Sequence, residues 1–79
     1  MLDILDEVFV ELNRANSIHP ATFNSSNEAA GVIREEYLEA ETELFHGNPE
    51  RARTELIQLA AMAVKAVQYL DEKMGGKHG

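Results

Sequence analysis

The stretch Arg34–Pro49, "REEYLEAETELFHGNP", decides how this chain is read. Its first twelve residues carry five glutamates, spaced among Tyr37, Leu38, Ala40, Leu44 and Phe45 at intervals a helix places on defined faces. Its last four residues end that helix and start another. Gly47 can take the left-handed cap, Asn48 can cap the next helix, and Pro49 suits its first position. The stretch therefore predicts two helices joined by a very short turn. It also raises a question, because like charges at helical spacing repel. The glutamates are either a solvated face or ligands of a cation.

Working backwards, Ser25 and Glu28 are spaced as a capping box, so the second helix is expected to begin near Ser25 or Ser26 and to run to about Phe45. Its buried stripe is read as Ala29, Val32, Ile33, Tyr37, Ala40 and Leu44. The segment "NSIHPATFNSSN", Asn16–Asn27, is a polar run around Pro20 and reads as a loop. Its length is of the kind often tied to function. Before it, Leu5, Val8, Phe9 and Leu12 recur at helical spacing and predict a first helix from about Leu2 to Ala15. Forward of the turn, the third helix is expected over Pro49–Met74. Leu56, Leu59, Ala60, Ala63, Val67 and Leu70 form a wide apolar face, and "LAAMAVKAV" is rich in small residues that let another helix approach. "GGKHG", 75–79, reads as a disordered tail. There is no internal repeat and no strand pattern. The fold class is all-α: a helical hairpin plus an N-terminal helix, one domain over 1–74.

The bulk numbers fit one small domain. In 79 residues, 44% are hydrophobic and 6% aromatic, a globular composition. A core this size supplies net stability of about 3–5 kcal/mol. No cysteine is present to add a disulfide or a thiolate metal site. Self-association is the remaining remedy, so a homo-oligomer is expected. Fourteen acids against seven bases leave a net charge of −7, which disfavours nucleic acid and anionic membranes as partners and suits a divalent cation or a basic partner. No apolar run is long enough to span a bilayer, and "MLDILDEVF" is not a signal peptide, so a cytoplasmic protein is expected.

Among the acids, Glu36, Glu39 and Glu43 share one edge of the second helix, with Glu36 nearest the apolar stripe, while Glu35 and Glu41 point further away. On the third helix, Glu55, Gln58, Met62, Lys65 and Tyr69 fall on one stripe, opposite the wide apolar face. An antiparallel pairing across the short turn brings Glu36 and Glu39 near Glu55. Three carboxylates and an amide oxygen are a donor set for Mg²⁺ beside a phosphate, and Lys65 can neutralise phosphate charge. The competing reading is a solvated acidic face, since glutamate is a strong helix former. His19, His46 and His78 lack metal-ligand spacing and read as surface residues. No glycine-rich phosphate loop appears.

The residues "REEYLEA" contain Glu-Glu-x-x-Glu at Glu35, Glu36 and Glu39, and "ELIQ" follows at Glu55–Gln58. This resembles the MazG-like all-α nucleoside triphosphate pyrophosphohydrolases, whose pattern is Glu-Glu-x-x-Glu on one helix and Glu-x-x-Asp on the next. "FNSSNEAAGVIREEYLEAETEL" and "RTELIQLAAMAVKAVQYL" are similar to the short phage- and prophage-type members, over roughly Thr22–Leu70. The resemblance implies dimers or tetramers in which helices of two subunits form a four-helix unit, Mg²⁺ as cofactor, and hydrolysis of a nucleoside triphosphate to a monophosphate and pyrophosphate. It makes Glu36, Glu39 and Glu55 the catalytic metal ligands, with Gln58 as a further ligand and Glu35 in support. Lys65, Arg53 and Tyr69 are the substrate-binding candidates. The chain departs from the pattern at Gln58, where the family has an acid. An amide oxygen ligates Mg²⁺ without charge and cannot serve as a base. Two functions follow: an Mg²⁺-dependent pyrophosphohydrolase, or a non-catalytic helical module that sequesters a nucleotide or binds a protein partner.

Overall fold

The computed structural model describes residues 3–19 and 22–75. They form three helices: α1 Ile4–Ile18, α2 Ser26–His46 and α3 Pro49–Lys73. No strand occurs among the described residues.

Local chemistry sets most of the boundaries. Ser25 caps α2, its hydroxyl accepting from the Glu28 backbone N–H at 3.1 Å. The Glu28 carboxylate reaches back to the Asn24 N–H at 2.7 Å, one residue earlier than a standard capping box. At the other end, Gly47 sits at φ +78°, a conformation in which an L side chain would crowd the following carbonyl. Its N–H closes on the Glu43 carbonyl, and Asn48 Oδ1 accepts from the Arg51 N–H at 3.0 Å to start α3 at Pro49. Two residues thus reverse the chain, and α2 and α3 form an antiparallel hairpin.

The first helix runs three residues past its expected end at Ala15. The Ser17 hydroxyl bonds back to the Arg14 carbonyl at 2.7 Å, and the His19 N–H closes on the Ala15 carbonyl. Asn16, Ser17 and Ile18 are therefore helical, and the loop is correspondingly shorter. Leu2, Pro20 and tail residues 76–79, with His78, lie outside the described residues; Gly75 is in a turn.

Both α1 and α2 pack on α3, and their backbones do not meet. Glu7 pairs with Arg53 and the His19 carbonyl with Lys65, so α1 runs parallel to α3. The core is thin. Val8 and Leu12 of α1 close on Ala61, with Ile57, Ala60 and Met62 partly buried around them. Small residues mark the α2–α3 contact, where Ala29, Ala40 and Ala52 are buried.

The expected apolar faces are corrected in part. Leu5 and Phe9 of α1, Tyr37 and Leu44 of α2, and Leu56, Ala63, Val67 and Leu70 of α3 are exposed. The reason lies in α3. Its stripe of Glu55, Gln58, Met62, Lys65 and Tyr69, expected to lie opposite the packed face, turns inward and is half-buried or buried throughout. Alanines 52 and 61 let α2 and α1 approach α3 closely along that side, leaving the larger side chains outside. Among the described residues, no helix is long and apolar enough to cross a membrane.

Candidate metal centre and adjoining cleft

The hairpin turn sets the register of the acids. Glu36 and Glu39 stand one turn apart on α2, and Glu55 faces them from α3. One carboxylate oxygen from each lies within 4.8 Å of the others. Glu36 and Glu55 are half-buried and Glu39 is exposed. Among the described residues, two of these oxygens are buried without a hydrogen-bond partner, Glu36 Oε2 and Glu55 Oε1. Native structures rarely leave such atoms unsatisfied.

The electrostatics carry the same mark. Burial raises the Glu36 carboxyl above its ordinary value of 4.5, and the charges of Glu39 and Glu55 raise it further. Burial likewise raises Glu55, followed by the charges of Glu39 and Glu43. No basic side chain pairs with the three among the described residues. The nearby Arg14 guanidinium forks onto Glu11, at 3.0 and 2.5 Å. A hard divalent cation takes oxygen ligands at about 2.0–2.6 Å. The oxygens of the trio are close enough to meet one such ion directly or through water, and its charge would remove the repulsion. The donor set thus fits Mg²⁺.

The other expected site residues fall in different places. Gln58 is half-buried one turn along α3 from Glu55, and Glu35 is exposed. Arg53 is not brought to the acids. It forks onto Glu7 of α1, at 2.7 and 2.5 Å, in a groove with Val10 and Ile57. This pairing holds the Glu7 carboxyl below its ordinary range and the guanidinium above its own. Tyr69 meets the Phe23 ring edge-on, centroids 6.5 Å apart, with the Lys73 ammonium 5.9 Å from its own ring.

Lys65 is buried, only 6% exposed. Its ammonium donates to the His19 carbonyl at 3.1 Å and lies 5.5 Å from the centre of the Phe23 ring. It floors a cleft of about 470 Å³ between the end of α1 and the start of α2. Arg14, Ile18, Phe23, Val32 and Met62 complete most of the wall. Glu36 follows Val32 by one turn of α2, so cleft and acids are neighbours along one helix edge. Arg14 and Phe23 had no motif to announce them. The available signal was Phe23 itself, one aromatic side chain within a polar connection, where a loop residue this apolar must find something to cover it.

No protein-family model, curated protein or solved structure matches this chain.

A pH dependence follows from the raised carboxyls. A folded-state pKa above the unfolded value leaves stability intact below pH 4.5 and removes it as pH rises through the folded value. Glu55→Gln takes out one of these groups. Without divalent cations it should raise the melting temperature near neutral pH by at least about 2 °C and leave it unchanged near about pH 3. Thermal unfolding followed by circular dichroism at the two pH values checks this; an equal shift at both would assign the change to packing instead.

Proposed function

We propose that this chain is a nucleotide-directed protein in which Glu36, Glu39 and Glu55 hold Mg²⁺, and that it hydrolyses a nucleoside triphosphate to the monophosphate and pyrophosphate. The supporting observation is the convergence of three carboxylates from two helices, with Glu36 Oε2 and Glu55 Oε1 buried and unpartnered. The resemblance of "REEYLEA" and "ELIQ" to the MazG-like motifs points the same way. Bound there, the ion would polarise the phosphate and favour attack by water. The chain's own groups divide the remaining work. Glu39, the exposed member of the three, has room to orient a water and accept its proton. Arg14, beside Glu36 and at the cleft wall, is forked onto Glu11 and would meet phosphate oxygens only by leaving that carboxylate. Lys65 lies in the cleft that adjoins the acids. Arg53 and Tyr69, engaged with Glu7 and Phe23, brace the surrounding structure.

One observation favours a second reading. Gln58 stands where the motif has its last acid, which removes a charged ligand. A non-catalytic protein that binds the nucleotide with its metal fits that substitution. The assay separates the two: the pure chain is incubated with a panel of nucleoside triphosphates and Mg²⁺, and pyrophosphate release is followed. The enzyme reading expects release that Glu55→Gln lowers at least about a hundredfold. Gln58→Asp should tighten Mg²⁺ binding about tenfold or more, because a hard cation gains from each charged oxygen. Nucleotide binding without release selects the second reading, and no binding at all removes both.

The exposed side chains of Leu56, Val64, Val67 and Leu70 on α3, with Phe9 on α1, support a homo-oligomer, dimer or tetramer, in which a second copy covers them. Light scattering at micromolar concentration should return a multiple of the 8.8 kDa chain mass; the monomer mass would refute it.

A further inference from the structure

The cleft contains an unusual group for its size. Lys65 is a buried cation with no carboxylate within 4.0 Å among the described residues, in a chain with twice as many acids as bases. Burying a charge is costly unless its hydrogen-bonding capacity is met. An ammonium has three N–H donors. One goes to the His19 carbonyl, and the Phe23 ring face covers another side. The remaining capacity is available to an acceptor entering the cleft that Lys65 lines.

The surroundings say what kind of acceptor. Ile18, Phe23, Val32 and Met62 line the cleft with carbon, the acidic side chain of Glu28 lines it too, and the Arg14 guanidinium on its wall is already forked onto Glu11. Carbon walls solvate a doubly charged phosphate poorly, and Glu28 repels one. A flat heterocycle with apolar faces and one strong carbonyl acceptor suits them better. About 470 Å³ lies within the range of small-molecule sites and has room for a base and its sugar. The next turn of α2 carries Glu36. A nucleotide whose base enters the cleft therefore points its phosphates past Arg14 toward the acids.

We propose that this cleft seats the nucleobase and that Lys65 is its specificity-determining residue, donating to a ring carbonyl oxygen and so favouring oxo-bearing bases over adenine. The inference rests on the reading of the acids as a nucleotide site, but its chemistry is separable from theirs. Uracil, thymine, hypoxanthine and guanine each offer such an oxygen. Adenine offers an amino group at the corresponding ring carbon, which faces an ammonium donor to donor.

Nucleosides test this without phosphate and without Mg²⁺. Inosine and adenosine differ chiefly at that ring position, so their affinities for the full chain are compared by calorimetry. Inosine should bind at least about tenfold more tightly. Lys65→Met, one atom shorter and without the charge, should abolish the preference; if that variant does not fold, the wild-type comparison decides alone. Equal affinities, no nucleoside binding up to millimolar concentration, or a preference that survives Lys65→Met would each overturn the proposal. So would inorganic phosphate that displaces inosine from the wild-type chain but does not bind Lys65→Met, which would make the ammonium a phosphate anchor. Failure of the metal reading has a different signature: no Mg²⁺ binding and no pyrophosphate release, with the inosine preference intact.

Discussion

Three like charges meet where α2 packs on α3, and the structure is arranged around that contact. Repulsion between Glu36, Glu39 and Glu55 opposes closure of the hairpin, as do the two carboxylate oxygens buried without partners. The hairpin closes because the turn at Gly47 and Asn48 leaves little freedom in register, and because alanines 29, 40 and 52 let the two helices approach. The same backbone that buries those alanines aims the acids at one another. The arrangement costs stability in the absence of a counterion, which the proposed cation would supply.

The remainder of the core does little to offset the cost. Val8, Leu12 and Ala61 are its buried centre, and among the described residues no large side chain is fully enclosed. With a core this thin, a ligand that binds only the folded form contributes a large share of the total stability. Folding, metal binding and nucleotide binding would then be coupled. The exposed apolar side chains of α3 offer a second route to stability through another copy of the chain.

Legibility from sequence followed the range of the interaction. The Ser25 cap, the Gly47 turn and the Asn48–Pro49 start depend on residues within a few positions, and they stand where the sequence placed them. The convergence of Glu36, Glu39 and Glu55 was readable too, since helical spacing plus a two-residue turn determines which acids face each other. The end of α1 was not, because weak helix formers at Asn16 and Ser17 are held helical by the Ser17 hydroxyl on the Arg14 carbonyl and by the His19 N–H on the Ala15 carbonyl, bonds that leave no hydrophobic pattern. The inward face of α3 was misread for a longer-range reason. Hydrophobicity favours burying Leu56, Val67 and Leu70, but the side chosen depends on where α1 and α2 dock, and small residues permit closer docking than large ones. Phe23 and Arg14 became visible only once α1, the connection and α3 were placed around the cleft.

We propose that one divalent cation sits among Glu36, Glu39 and Glu55. Crystals of the chain grown with Mn²⁺ in place of Mg²⁺ test it most directly, through an anomalous difference map at the manganese edge. An occupied site gives one strong peak within about 2–2.5 Å of oxygens from all three residues, or bridged to one of them by water. A map with no peak there, and with Glu55 turned away from Glu36 in every copy, would show that these glutamates are a solvated helix face.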